Sequence, residues 1–254
     1  MKVSELYAFL NEHIPKSLSC EWDNDGLMCC PDPDREVRRV LVVLDITEDM
    51  VEVAVKDKCD VVLSHHPLVF RPIKALTTDA GVPRKLIKLV KNGIAAMSFH
   101  TRLDAVRGGV NDVLARLLGL QNMEDFGPEG EQMGRVGTID VACDIDEFAA
   151  RVKKILEAPM VLVSGKDKVS RVAVLGGNGD DFIGEAIAAG ADTFVSGRLG
   201  YHPMTDAPEA GINLIEAGHY FTERPVLSVL ESFVKQADGD IEILQMGSNV
   251  IRAI

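Results

Sequence analysis

The run Asp60-Val61-Val62-Leu63-Ser64-His65-His66-Pro67 predicts a buried strand that ends in two adjacent histidines and is stopped by a proline. Ligand sites in open α/β sheets lie outside the carboxyl ends of the strands, and histidine is the commonest metal ligand in proteins. The chain has six histidines in all, so two neighbours at a strand end indicate a metal site. Neighbouring strand residues point to opposite faces. His65 and His66 can therefore share one cluster only if the chain turns there, or else they bind different ions.

Two further apolar runs end in a histidine that is followed by a carboxylate four residues later. These pairs are His100 with Asp104, and His219 with Glu223. Residues at i and i+4 share one face of a helical turn, so each pair can point at a common ion. Nitrogen and oxygen donors without thiolate suit zinc, iron or manganese. His100 has two open interpretations: it is either a ligand or a residue that handles protons beside the metal.

Short apolar runs alternate with helical segments along the chain, which predicts βαβ units and a largely parallel sheet. Residues 39–64 also align without a gap on residues 171–196, with Asp60 meeting Asp192 and Ser64 meeting Ser196. The predicted fold class is therefore α/β, with two similar α/β lobes from an internal duplication and mixed or largely parallel sheets.

The domain prediction follows from this repeat. Residues 1–120 form a first lobe, the glycine-rich and acidic residues 121–137 form a linker, and residues 138–254 form a second lobe. Within the second lobe, residues 138–164 have a strand–helix–strand pattern without histidine. We expect this segment to have a structural or contact role.

Composition limits the classes of function. The formal charge of −12 and the pI of about 5.0 argue against a basic nucleic-acid surface. No apolar run approaches the roughly 20 residues of a membrane span, and the first segment reads as an amphipathic helix rather than a signal peptide. The five cysteines include no CxxC pair, which predicts reduced thiols in a cytoplasmic protein.

Other candidates are weaker. His202 follows the predicted strand over 192–196 and either approaches the same site as a proton carrier or is a plain loop histidine. The Gly176-Gly177-Asn178-Gly179 run lacks a Walker lysine and is interpreted as a tight turn before a helix. The loop Asp23-Asn24-Asp25-Gly26 is interpreted as an ordinary turn, and His13 as a surface residue.

Taken in order, the motifs resemble those of the GTP cyclohydrolase I type 2 homologues, the NGG-interacting-factor-like family of dinuclear metal-centre hexamers. The similar segments span nearly the whole chain: Trp22-Asp23-Asn24-Asp25-Gly26-Leu27, Ser64-His65-His66-Pro67, His100-Thr101-Arg102-Leu103-Asp104, Tyr201-His202 and Gly218-His219-Tyr220-Phe221-Thr222-Glu223. The resemblance implies a toroidal homohexamer. It also implies two metal ions per subunit, held by His65, His66, Asp104, His219 and Glu223.

One position departs from the family pattern. Many relatives carry an acidic residue after the glycine that matches Gly197, where this chain has Arg198. A basic group there would favour an anionic ligand.

These observations predict a metal-dependent hydrolase that acts on a small phosphorylated or nucleotide-like substrate. Its site would use His100 or His202 to move protons and Arg198, Arg102 or Arg71 to bind an anion. Ring opening of GTP would also use metal-activated water, but the sequence has no guanine-reading motif. The alternative function is that of a non-catalytic metal-binding regulator or metallochaperone.

We expect a small-molecule substrate and no membrane contact. Nucleic acid is not expected, except as a flexible single strand that enters an internal cavity.

Overall fold

The computed structural model describes residues 1–166 and 168–251 of the chain. The chain divides into two compact units: Met1–Leu103 with Leu227–Val250 form the first, and the second contains Asp104–Val226. None of the helices in the described residues is long and apolar enough to cross a membrane.

Strands and helices are numbered in chain order. The strands are β1 Gly26–Cys29, β2 Arg39–Val43, β3 Val61–Ser64, β4 Ala95–Ser98, β5 Gln121–Phe126, β6 Gly134–Asp144, β7 Leu162–Ser164, β8 Lys168–Asn178, β9 Thr193–Arg198, β10 Asn213–Glu216 and β11 Glu242–Gln245. The helices are α1 Val3–His13, α2 Glu48–Lys56, α3 Gly81–Lys91, α4 Thr101–Ala105, α5 Val110–Leu118, α6 Ile145–Leu156, α7 Ile183–Ala188, α8 Tyr201–Ala210, α9 His219–Glu223 and α10 Leu227–Ala237. Short 3₁₀ turns cover Lys16–Leu18, Asp180–Phe182 and Arg224–Val226.

The first unit is built on a five-stranded sheet in the order β1-β4-β3-β2-β11. All neighbours in it are parallel except β1, which runs antiparallel to β4. Strands β3 and β4 are buried along their whole length, as expected for parallel strands covered on both faces. The core joins the strands to α2 and α3, and it includes Leu41, Val62 and Leu89. Because β3 and β4 are adjacent and parallel, their carboxyl ends lie at the same edge of the sheet.

The second unit is built on a six-stranded mixed sheet in the order β5-β6-β8-β9-β10-β7. Its centre, β8-β9-β10, is parallel, whereas β5, β6 and β7 are joined by antiparallel pairs. Helices α5 and α6 bury an apolar stripe on this sheet, with Leu114, Phe148 and Val152 in the core. Together the two sheets confirm the predicted α/β class with mixed or largely parallel sheets.

Hydrogen bonds repeat between the two units at the positions that the sequence repeat aligns. Asp60 accepts from the backbone N–H of Arg38 and Arg39 at 2.8 and 3.1 Å. Asp192 accepts from those of Ser170 and Arg171 at 2.9 and 2.8 Å. Each carboxylate thus links the residue before one strand to the backbone of its parallel neighbour: Asp60 links β3 to β2, and Asp192 links β9 to β8. This shared bonding supports the duplication, because apolar patterning alone does not require a side chain to bond in the same register twice.

The boundaries of the two units differ from the predicted lobes. Residues 121–137, expected to be a linker, form β5 and the beginning of β6. Strand β5 is polar because it is an edge strand: among the described strands it pairs with β6 alone, and both of its faces are largely exposed. The chain also returns to the first unit at its end, where α10 contacts α1 and β11 pairs in parallel with β2. Such a long-range return leaves no local signal in the sequence.

Candidate functional site

The two neighbouring histidines lie side by side where β3 ends. The strand stops at Ser64, whose hydroxyl donates to the carbonyl oxygen of His66 at 2.7 Å and so closes a turn. The rings of His65 and His66 lie 4.9 Å apart between centroids, inclined at 45°. The chain therefore turns at the strand end, which is the condition under which adjacent histidines can serve one cluster.

His100 joins this pair from the end of β4. Its ring centroid lies 5.3 Å from that of His65 and 5.6 Å from that of His66. One ring nitrogen from each of the three histidines lies within 4.8 Å of the other two. The parallel pairing of β3 with β4 explains this meeting, because it sets Ser64 opposite Ser98 at the ends of the strands.

Each imidazole of this group is oriented through its Nδ1 atom. His65 donates to the carbonyl oxygen of Phe99 at 3.0 Å, His66 to Asp45 Oδ1 at 2.8 Å, and His100 to Asp23 Oδ1 at 3.0 Å. Since the partners are a carbonyl and two carboxylates, the Nδ1 atoms carry protons, and in the neutral imidazole the Nε2 atom carries the lone pair. Metal-binding histidines are held in this way in most proteins. The donor set of the first unit therefore fits a divalent cation.

Asp23 was expected to lie in an ordinary turn, but it is a buried partner of His100. Its second oxygen accepts from the backbone N–H and the hydroxyl of Thr101 at 3.1 and 2.6 Å. Burial opposes its ionisation, but the hydrogen bonds from His100 and Thr101 outweigh this and lower the pKa of Asp23 to about 2. Asp23 is therefore a carboxylate at neutral pH and keeps the ring of His100 in one orientation.

Sequence reasoning also missed Asp45, the partner of His66. This residue lies two positions beyond the end of β2, the strand that neighbours β3. Ligand sites lie outside the carboxyl ends of the strands, so the end of β2 carries the same signal as the ends of β3 and β4. For Asp23 the only signal was the density of carboxylates between Trp22 and Gly26.

The second unit holds the remaining predicted ligands. Nε2 of His219 and Oε2 of Glu223 lie 3.0 Å apart on consecutive turns of α9. A carboxylate oxygen of Asp104, in α4, lies within 4.8 Å of one of Glu223. Glu223 is buried, with 3% of its surface exposed. The predicted i, i+4 relation of His219 and Glu223 is therefore present, and the two carboxylates lie close together.

Glycines of β8 make room for this pair. A Cβ atom on Gly177 would collide with Oε1 of Glu223, and one on Gly176 would lie 3.2 Å from Cγ of the same residue. The N–H of Gly177 also donates to the hydroxyl of Thr222 at 3.2 Å. The run of glycines was expected to form a tight turn before a helix, but β8 continues through both residues to Asn178. Their role is to let α9 approach the strand closely.

The other predicted site residues are placed differently. His202 is an exposed residue of α8 whose ring neighbours that of Tyr201 at 5.6 Å. It belongs to none of the groups of three or more metal-donor side chains within residues 1–166 and 168–251. Arg71 and Arg198 are exposed.

Arg102, expected as an anion partner, is buried instead. It donates to Asp25 Oδ2 at 3.1 Å and to the carbonyl oxygen of Ile14 at 3.0 Å, and it lies over the ring of Phe99 at 4.2 Å. Its charge is neutralised inside the first unit, because a buried guanidinium needs a carboxylate partner. It therefore cannot bind a substrate anion in this conformation.

Comparison with known proteins identifies one family over nearly the whole chain. Residues 1–250 match the family model described as Duf34/NIF3 (NGG1p interacting factor 3). The chain is 33% identical over 251 residues to a "GTP cyclohydrolase 1 type 2 homolog" of Clostridium perfringens, with 96% of this chain and 95% of that relative covered. A relative with the same name from Methanocaldococcus jannaschii is 33% identical over 250 residues, covering 97% and 99% of the two chains.

Solved structures with this fold include two close matches. Staphylococcus aureus protein SA1388 superimposes with a TM-score of 0.89 at 27% identity, covering 100% of this chain and 99% of that one. Reduced HcgD from Methanocaldococcus jannaschii superimposes with a TM-score of 0.83 at 31% identity, covering 96% and 97%. The family resemblance predicted from the motifs is thus confirmed over nearly the full length: the chain belongs to the Duf34/NIF3 (NGG1p interacting factor 3) family.

Proposed function

We propose that this protein binds two divalent ions per chain, of zinc, iron or manganese, through His65, His66, Asp104, His219 and Glu223. The observation that carries this proposal is the imidazole group of the first unit, where each Nδ1 atom donates to a fixed oxygen acceptor. In the second unit, the neighbouring carboxylates and His219 add the oxygen and nitrogen donors that these cations accept.

We propose further that the protein is a hydrolase for a small phosphorylated or nucleotide-like substrate. The ions, when bound, supply an acidic water and positive charge for a developing oxyanion. Within the chain, the Nδ1–H of His100 donates to Asp23, so Nε2 is the atom that accepts or returns a proton. His202 is the second candidate for proton transfer. The exposed guanidinium groups of Arg71 and Arg198 suit an anionic group on the substrate.

Metal analysis joined to an activity screen tests both parts of the proposal. Protein purified without chelator should contain about two equivalents of divalent metal per chain and should hydrolyse at least one member of a phosphoesterase and nucleotide panel. Less than one equivalent under metal excess would contradict the dinuclear centre. Tight binding of two equivalents without turnover on any substrate would instead support a metal-binding regulator or metallochaperone.

Ligand variants assign the roles of individual residues. Asp104→Ala and Glu223→Ala should release metal while the protein stays folded, and His13→Ala, an exposed position on α1, should retain the full content. If both carboxylate variants keep all their metal, the ligand assignment is wrong. For His100, loss of turnover with metal retained would identify a proton carrier, whereas loss of metal would identify a ligand.

We also propose a toroidal homohexamer located in the cytoplasm. Within residues 138–164, for which we expect a structural or contact role, the exposed apolar side chains are Val141, Met160, Leu162 and Val163. A subunit contact would cover these exposed apolar side chains, and closed symmetry is usual for homo-oligomers. All five cysteines are free thiols, in keeping with a reducing compartment.

A further inference from the structure

Three aromatic rings surround one position at the edge of the histidine group. Trp22 lies 6.3 Å from Phe70 and 6.4 Å from His100, and Phe70 lies 6.2 Å from His100, measured between ring centroids. Each pair is close to perpendicular, at 71°, 78° and 88°. The three rings therefore form a nearly equilateral cluster, which we call the aromatic cluster.

Two of these rings remain open to solvent. Trp22 is 56% exposed and Phe70 is 44% exposed. A single exposed apolar side chain needs no explanation in a soluble protein. Here, however, two large rings are exposed together, and both contact a histidine that shares a group of metal-donor atoms with His65 and His66.

The cluster is held in place by polar bonds to its neighbours. Asp23, next to Trp22, is fixed by His100 and Thr101. The side-chain amide of Asn24 donates to the carbonyl oxygen of Val69, next to Phe70. The two exposed rings are thus carried by segments that are bonded to the histidine and to each other. Rigid, preorganised aromatic faces bind ligands with little entropic cost.

We propose that a planar heteroaromatic ring of the substrate, of the nucleobase class, stacks on the exposed face of Trp22 and meets the nearly perpendicular ring of Phe70 at its edge, beside the histidine group. The inference rests on the proposed metal-dependent function and narrows its substrate from any phosphorylated compound to one that carries such a ring. Bases stack on exposed aromatic side chains whatever their hydrogen-bonding edge, so the absence of a guanine-reading motif does not conflict with it. Arg71, exposed and directly after Phe70, suits the phosphate of a nucleotide.

The chain contains its own reporter for this contact, because Trp22 is its single tryptophan. Adenosine 5′-monophosphate should quench the tryptophan fluorescence in a saturable way when excitation is at the red edge of the indole band, where adenine does not absorb. Ribose 5-phosphate, which has the same sugar and phosphate without the base, should not. Equal quenching by both compounds, or by neither, would overturn the proposal.

Variants separate stacking from other causes. Phe70→Leu keeps an apolar side chain and the tryptophan reporter but removes one ring, and it should weaken binding of adenosine 5′-monophosphate at least about tenfold. Trp22→Leu should do the same when binding is measured by calorimetry. The matched control is Phe9→Leu, since Phe9 also stacks on a histidine, His13, at 4.1 Å, but lies in α1. The proposal fails if the control weakens binding as much as Phe70→Leu does.

Metal content measured on the same samples keeps this inference distinct from the function on which it rests. If the protein binds two equivalents of metal but shows no base-dependent quenching, the proposed metal centre stands and the proposed stacking surface is refuted. If it shows base-dependent quenching but binds no metal, the stacking surface stands and the metal-dependent hydrolase is refuted. If Trp22→Leu raises the solubility of the protein or abolishes its self-association but leaves nucleotide affinity unchanged, the aromatic cluster is a protein–protein contact and the proposal is wrong.

Discussion

At the scale of single residues, Asp45 orients His66 without being one of the proposed ligands. Its Oδ1 atom accepts from Nδ1 of His66 at 2.8 Å. Carboxylate partners of this kind fix the tautomer of a ligand and raise its basicity, and their loss usually costs about 10–100-fold in metal affinity. We expect Asp45→Ala to show a loss of that size in a chelator competition titration. Asp34→Ala removes an exposed carboxylate paired with Lys2 and serves as the control. Identical metal affinities in the two variants would contradict a supporting role for Asp45.

At Gly177, a side chain would affect both the stability of the backbone and the position of the proposed ligand Glu223. It has a φ of +72°, and a Cβ atom there would also collide with Oε1 of Glu223. Gly177→Ala should therefore destabilise the protein by about 1–2 kcal/mol through its backbone and also lower metal affinity by displacing Glu223. Denaturant unfolding and metal titration measure the two effects.

Gly211→Ala is the matched control for Gly177→Ala. Gly211 has a similar φ of +75°, but nothing lies within 4 Å of its added Cβ. It should show the same loss of stability with normal metal binding. If both variants bind metal equally well, the close approach of Gly177 to Glu223 has no role in the site.

At the scale of elements, a buried ion network joins α5 to the antiparallel part of the second sheet. Arg135, fully buried in β6, pairs with Asp112 of α5 and with Asp125 of β5, the latter at 3.2 Å. Burial raises the pKa of Asp112, but hydrogen bonds from the Gly108 N–H and Arg135 outweigh it, so the pKa lies below its ordinary value. Removing one member of such a network lowers the stability of the protein, because it leaves a buried charge without its partner.

The direction of this shift determines the expected pH dependence. A carboxyl group whose pKa is lower in the folded state contributes stability that is complete above its unfolded value of about 4 and is lost as pH falls through the folded value. Urea midpoints should therefore fall from neutral pH to about pH 3. Asp112→Asn should have a lower midpoint at neutral pH and a smaller fall in acid. Asp79→Asn, at an exposed position, should behave like the unmodified protein. An unchanged acid dependence in Asp112→Asn would show that other carboxylates govern it.

At the scale of the whole molecule, the proposed assembly predicts a mass. Light scattering at micromolar concentration should give six times the chain mass of 27.6 kDa. Val141→Asp should reduce the mass, because it puts a charge on a side chain that is 72% exposed in the expected contact segment. Leu76→Asp, also exposed but outside that segment, should leave the mass unchanged. A monomer at this concentration would refute the hexamer, and any size limit that an internal cavity would place on substrates would fall with it.

The sequence was most informative where structure is local. The apolar runs before His65 and His100 predicted strands because parallel strands are buried on both faces, and the i, i+4 spacing indicated that the side chains of His219 and Glu223 lie close together, as they do on α9. It was least informative for partners distant in the chain. Asp23 and His100 are 77 residues apart, and β11 pairs with β2 across some 200 residues. No periodicity links such segments, so only the folded chain reveals them.

The close approach of α9 to the second sheet also restricts how this protein could have evolved. In the aligned repeat, His65 and His66 follow Ser64, whereas Gly197 and Arg198 follow Ser196. A side chain at Gly197 would begin 2.6 Å from Thr222 Oγ1 and 2.7 Å from the Cα of His219. While α9 occupies that place, a histidine cannot be accepted there. The matching strand ends of the two units therefore accept different residues, and copying Ser64-His65-His66 onto Ser196-Gly197-Arg198 would displace α9 instead of creating a second histidine pair.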